Sequence, residues 1–287
     1  MTTSPSLSAS PGAVGAVGAG AGAGALAVGT RLSWTTAVRL EVAKMRRLRL
    51  WPLSLALLGV SLALSLPLSA SARDDLLNTV TDPWPSQLLL VSMTAALVSP
   101  LLVSVLASRL VDVEHTGGGW NLSATMGLTP GRLCRAKLTA LAGVLAPVVG
   151  LQVAVPVLAG QMLGATWALD LAPWLTYAVS LFVLDVVACG LYLLLAALVD
   201  NQIICVGVGF LGSFISLFAL LMPPWLAHVV PWGYWAAITP TATSGDLSDG
   251  TYQVIYQDPS WPWVIGFLLL AAAIFAVATA RLDRIER

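Results

Sequence analysis

Residues 86–108 read SQLLLVSMTAALVSPLLVSVLAS, and residues 109–137 continue RLVDVEHTGGGWNLSATMGLTPGRLCRAK. The first stretch is apolar and uncharged; the second opens and closes on basic residues. A helix rises about 1.5 Å per residue, so roughly 20 apolar residues cross the ~30 Å hydrocarbon layer. Lipid cannot satisfy backbone polar groups, so such a run must be helical. The same reading, carried outward, gives six spans at about Trp51–Ala70, Ser86–Ser108, Leu138–Leu163, Pro173–Val199, Ile203–Met222 and Trp261–Ala280. The predicted class is an all-α polytopic membrane protein. Of 287 residues, 57% are hydrophobic and 10% charged, which cannot furnish the polar shell of a soluble chain.

Charge sorts by side. Arg31, Arg39, Lys44, Arg46, Arg47 and Arg49 precede the first span, Arg109, Arg132, Arg135 and Lys137 fill the second loop, and Arg281, Arg284 and Arg287 close the chain. The opposite loops carry Asp74, Asp75, Asp82, Asp170, Asp246, Asp249 and Asp258, with Arg73 as their one base. The positive-inside rule then expects both termini in the cytoplasm and the protein in the cell membrane.

Residues 1–30 are rich in Ala, Gly, Ser and Thr and carry no charge, and are expected to be a disordered tail ahead of a single domain over 31–287. They lack the basic start and compact Leu-rich core of a signal peptide. From Arg31 to Leu50, Leu32, Val38, Val42, Met45 and Leu48 recur near helical spacing between basic residues. That pattern predicts an interfacial helix with its basic side among lipid phosphates, ended near Pro52; a plain extension of the first span is the alternative. The fifth loop, Pro223 to Pro262, interleaves Trp225, Trp232, Tyr234, Trp235, Tyr252, Tyr256 and Trp261 with prolines. Its Pro224–Ile238 segment is too short to span and is expected to form re-entrant or surface helices at the outer boundary.

Enzymatic chemistry finds no footing. There is no G-x-x-x-x-G-K-[ST], no H-E-x-x-H and no G-x-S-x-G. Two histidines, His115 and His228, and three cysteines, Cys134, Cys189 and Cys205, make no metal-ligand spacing, and no disulfide is expected. No catalytic residue, metal, cofactor or nucleic-acid partner is expected of this chain. Gly207, Gly209 and Gly212 spell G-x-G-x-x-G inside an apolar span, where small residues let helices approach. Asp185 is the one acid near the middle of a predicted span. It either lines a translocation path or is bonded to a neighbouring helix.

The second loop is the richest segment. Gly117, Gly118 and Gly119 stop the helix leaving span two; Trp120, Leu122 and Met126 stand on a short stretch able to protrude; Thr129 caps a new helix with Pro130 at its first position. This compact elbow suits a groove on another protein. A folded linker pinned to phosphates is the other reading.

The run Glu114…Gly117…Trp120…Leu128-Thr129-Pro130…Arg132…Lys137 resembles the loop between the second and third spans of ABC-2 type transporter permeases, notably those of lantibiotic-immunity and related peptide or drug exporters. The basic lead-in, the spans and the aromatic fifth loop resemble the same family. The resemblance implies a permease that pairs as a homo- or heterodimer and binds a separate ABC ATPase subunit through a coupling helix. ATP hydrolysis on that partner would drive export of an amphiphilic substrate. It also implies that Glu114, Trp120, Thr129, Arg132 and Lys137 sit at or beside the ATPase contact, with Gly117, Leu122 and Met126 in the same loop. The competing expectation is a secondary transporter coupled to ions through Asp185.

Overall fold

The computed structural model describes residues 32–245 and 252–285. The tail at 1–30, with Arg31, Asp246, Asp249 and Arg287, lies outside the described residues.

Among the described residues, five helices are long and apolar enough to span a membrane: α4 (Trp84–Thr116), α6 (Pro130–Met162), α7 (Leu171–Leu198), α8 (Gln202–Ala219) and α11 (Trp261–Ile285). The sixth passes only as a bent pair, α1 (Trp34–Arg47) with α2 (Leu50–Ser65), which meet at 68°. The first span therefore ends earlier than Ala70. Leu66 is extended (ψ 142°) ahead of Pro67, the conformation that a following proline imposes. The short α3 (Ala70–Leu76) follows. The break before α2 is not at Pro52 but at Arg49, which adopts left-handed φ 55°. Pro52 sits in the first turn of α2, where a missing N–H costs no helical bond.

Helix α4 is the hub of the bundle and packs on α2, α6, α7 and α8. It can do so because its buried face alternates aliphatic residues with Ser92, Ser104 and Ser108, whose hydroxyls bond back to the carbonyls of Leu88, Leu101 and Val105. Each serine is thus a small, self-satisfied residue at a helix contact. A polar seam joins α2 to its neighbours: Gln152 donates to the Ser61 hydroxyl at 2.8 Å and Gln87 to the Ser65 carbonyl at 2.7 Å.

Two glycines of the G-x-G-x-x-G run are packing devices. A methyl group at Gly209 would strike the Ser104 hydroxyl of α4, and one at Gly212 would strike the Trp232 indole, whereas Gly207 faces nothing within 4 Å. Gly209→Leu should therefore cost about 1–3 kcal/mol by overpacking, read as a lower melting midpoint in detergent, with Gly207→Leu close to the parent. Equal midpoints for the two variants would refute that assignment.

The fifth loop forms short helices, α9 (Pro224–Ala227), a 3-10 turn (Pro231–Gly233) and α10 (Tyr234–Ala237). A two-stranded antiparallel hairpin, β1 (Thr241–Ser244) with β2 (Gln253–Tyr256), adds an element that the sequence reading did not contain; Thr241 pairs with Tyr256. The 3-10 turn and α10 fold back into the bundle, whereas Trp225 of α9 stands 68% exposed. The Trp235 indole donates to Asp185 at 2.9 Å, about 21 Å along α7 from Leu171. Trp232 donates to the Tyr192 hydroxyl at 3.0 Å, and Tyr234 stacks on Phe267 of α11 at 4.0 Å. Bulky aromatics thus wedge the segment between α7, α8 and α11.

Candidate functional site

Apart from Arg73 on α3, the basic residues of the described chain collect at one end of the bundle, and the elbow sits among them. Helix α4 continues past its apolar section to Thr116, and Gly117 closes it by donating to the Val113 carbonyl at 3.1 Å. Gly118 then takes φ 59°, a left-handed turn that suits glycine. Gly119 opens α5 (Gly119–Thr125), and any side chain there would run into the Glu114 carboxylate. Gly127, at φ 73°, turns the chain out of α5 into Leu128, which is buried. Helix, glycine break, short helix, turn and helix follow as the sequence led one to expect.

The eight loop residues separate by burial. Leu122 is 62% exposed and Met126 40%, so both face outward. Trp120 does not protrude: its ring packs on the core and meets His115 edge-on at 5.9 Å. An aromatic this large gains more from packing on the adjacent helix ends than from standing in solvent. Gly117 is the α4 cap, and Arg132 donates to the Leu32 carbonyl at 2.7 Å. Thr129 occupies the N-cap position of α6 but makes no capping bond. Its hydroxyl instead donates to Asp283 of α11, and that carboxylate accepts the Arg132 backbone N–H at 3.1 Å and an Arg135 guanidinium bond at 2.6 Å. A residue from the far end of the sequence supplies the cap.

Glu114 and Lys137 are buried, at 1% and 0% exposure, and cannot offer their side chains to a partner surface. They belong to an ionic quartet. Lys137 Nζ bonds Glu114 at 2.7 Å, Glu41 at 2.7 Å and the Leu110 carbonyl at 3.0 Å; Lys44 bonds Glu41 at 2.7 Å and Glu114 at 2.6 Å. Two carboxylates and two ammonium groups balance, and every charge has two charged partners. Such balance is required because an unpaired ion at this depth is strongly unfavourable. The quartet also takes Lys44 out of the basic side expected of α1. Ala37, Glu41 and Met45 form its buried face, at i, i+4 and i+8, so Lys44 is committed to carboxylates rather than phosphates. Arg39, Arg46, Arg47 and Arg49 remain exposed.

Beside the elbow lies a cavity of about 330 Å³ between α1, α5 and α6, lined by Leu40, Lys44, Arg47, Met126, Leu128 and Leu133. His115 ties the elbow to the next helix pair, its ring nitrogens 3.0 Å from the Ala196 carbonyl and 3.0 Å from the Asp200 carboxylate. Asp185 lies far from this end and bonds the re-entrant Trp235. Among the described residues no three His, Cys, Asp or Glu side chains gather as a metal site, and all three cysteines are buried and free.

The sequence reading missed Glu41 and Asp283. Glu41 carried a signal: it is the one acid in the basic run 31–50 and falls on the stripe of Ala37 and Met45.

A multi-pass helical bundle with a folded elbow at its basic end and aromatic re-entrant segments at the other is the architecture of a membrane permease. The family model described as "ABC-2 family transporter protein" matches residues 37–216, more than half of the sequence, and the chain belongs to the ABC-2 transporter family. The matched region opens on the buried face of α1, contains the whole elbow and ends within α8, ahead of the re-entrant loop and α11. Neither the curated proteins nor the solved structures give a match. As a member of this family the chain is the membrane-spanning permease of an ABC transporter, and membership implies association with an ABC ATPase.

Proposed function

We propose that this chain is the non-catalytic permease subunit of an ATP-driven exporter, that α5 is its coupling helix, and that a separate ATPase subunit docks on it from the cytoplasm. One observation carries the reading: Leu122 on α5 and Met126 at its C-cap stand exposed on an elbow whose base is braced by buried ion pairs. Apolar side chains held out on a rigid element beside a basic helix suit an acidic, grooved partner. The missing phosphate-binding motif supports the assignment of ATP hydrolysis to another polypeptide. The charge sorting supports cytoplasmic termini in the cell membrane. Pairing with a second permease, as homo- or heterodimer, and an amphiphilic peptide or drug as cargo complete the proposal. Asp185 holds the re-entrant segment in this scheme, because its Oδ1 accepts the Trp235 indole N–H.

Affinity purification of the tagged chain from its native membrane is the test. An ABC ATPase should co-purify, the complex should hydrolyse ATP, and the chain stripped of its partner should hydrolyse none. ATP turnover by the lone chain, or cargo uptake into vesicles driven by a proton gradient without ATP and lost in Asp185→Asn, would overturn the reading.

A further inference from the structure

We propose that His115 is a proton-operated clasp between the elbow and the junction of α7 with α8, closed when its ring carries two N–H groups and half-open when it carries one.

Both ring nitrogens face acceptors. Nε2 lies 3.0 Å from the Ala196 carbonyl, and Nδ1 lies 3.0 Å from the Asp200 carboxylate. A carbonyl and a carboxylate only accept. A neutral imidazole has one N–H, so it bonds one of the two and turns a lone pair toward the other; the imidazolium alone donates to both. The two contacts are not equally easy to lose. Ala196 is 4% exposed and belongs to the last turn of α7, where carbonyls lack helical donors. Orphaned there, its carbonyl would go unsatisfied in the interior, so the neutral ring keeps its hydrogen on Nε2. The Asp200 side chain is 90% exposed, and water replaces its partner. Asp200 is therefore the contact that opens.

Few other charges face the ring. Helix α5 and the last turn of α7 carry no charged side chain, α8 opens on Asn201 and Gln202, and Asp200 is the charge at the junction. On α4 itself, Asp112 stands about one turn earlier, and Glu114 turns to Lys44 and Lys137. A cation at the end of α7 is also favoured by the helix dipole.

The clasp governs the elbow because the Trp120 ring of α5 meets the His115 ring edge-on at 5.9 Å. Bonded at both nitrogens, the imidazole has one orientation. Bonded at one, it can pivot about the Ala196 contact, and Trp120 loses a fixed neighbour. The second bond exists while the ring is charged and disappears as pH rises and the proton leaves. Acid thus orders α5, and alkali loosens it. An ordered α5 would dock the ATPase at a smaller entropic cost, so docking should weaken as pH rises. That last step rests on the proposed function; the clasp does not.

A nitroxide at Leu122→Cys, on the exposed side of α5, reads the elbow's motion in the full chain in nanodiscs, the three native cysteines being buried. Histidine is the side chain that ordinarily changes charge between about pH 5 and about pH 8. Over that range the mobile fraction of the label should rise about two- to fivefold, the equivalent of one solvent-facing charged bond at a helix end. His115→Gln and Asp200→Asn should each abolish the rise, whereas His228→Gln, in the re-entrant loop, should leave it intact. Nitrogen-15 NMR of the histidine-labelled chain adds a second readout, because the sequence holds two histidines and His115→Gln assigns the signal. Both His115 nitrogens should be protonated at the acid end and Nε2 alone at the alkaline end. A label equally mobile across the range, a rise that survives in His115→Gln or Asp200→Asn, or a hydrogen left on Nδ1 alone would overturn the clasp. ATPase affinity for the unlabelled permease should fall two- to fivefold over the same range, and not in Asp200→Asn; equally flat affinities would overturn the link to docking. Absence of any ATPase would sink the proposed function and not the clasp, whose two readouts need no partner.

Discussion

Lys137→Met should be the most damaging single substitution at the basic end, with a loss of about 3–5 kcal/mol, because it removes one partner of a buried ion cluster. Glu41 and Glu114 would be left 1% exposed with Lys44 as their only cation. The expected result is a chain that enters the membrane but yields little monodisperse protein and is cleaved early in limited proteolysis. Glu114→Gln combined with Lys137→Met should recover most of the loss, since Glu41 and Lys44 remain a matched pair. The comparison separates charge balance from packing: equal damage in the single and double variants would mean that Lys137 acts through its methylene stem, not through its ammonium group.

The centres of the spans were legible in the sequence because membrane insertion is read on hydropathy averaged over some 20 residues. Their ends were not. Helices α4 and α6 run to Thr116 and from Pro130, well past their apolar sections, because the charges on those extensions find partners on α1, which no local window contains. The elbow was legible in outline, since Gly117 to Gly119 and Thr129-Pro130 are local signals. Its details depended on distant residues. Asp283 lies 151 positions from the Arg132 amide that it caps, and Trp120 turned inward because His115 and the core were there to receive it. The hairpin escaped for a different reason. Strands of four residues, TATS and QVIY, are too short for an alternating pattern to stand out. Arg49 gave no warning either, because a left-handed arginine is imposed by the packing of α1 and α2 and not by residue type.

Leu122→Asp should separate docking from folding more cleanly than any change at Trp120. Leu122 is 62% exposed, so its replacement should leave the elbow within about 0.5 kcal/mol of its original stability. In the docked state the same aspartate would be pressed into an apolar contact, a loss of at least about 2 kcal/mol for an anchor residue, or roughly 30-fold in affinity. Trp120→Ala, by contrast, would remove a ring that packs on His115 and the core, so weaker docking there would be confounded by a loosened elbow. Titration of the purified ATPase onto nanodisc-embedded permease, with melting midpoints recorded in parallel, makes the distinction. Leu122→Asp should shift the binding curve and not the midpoint, whereas Trp120→Ala should shift both. Unchanged affinity in a Leu122→Asp, Met126→Asp double variant would remove α5 from the interface, for these two are the large apolar side chains exposed on that helix and its C-cap.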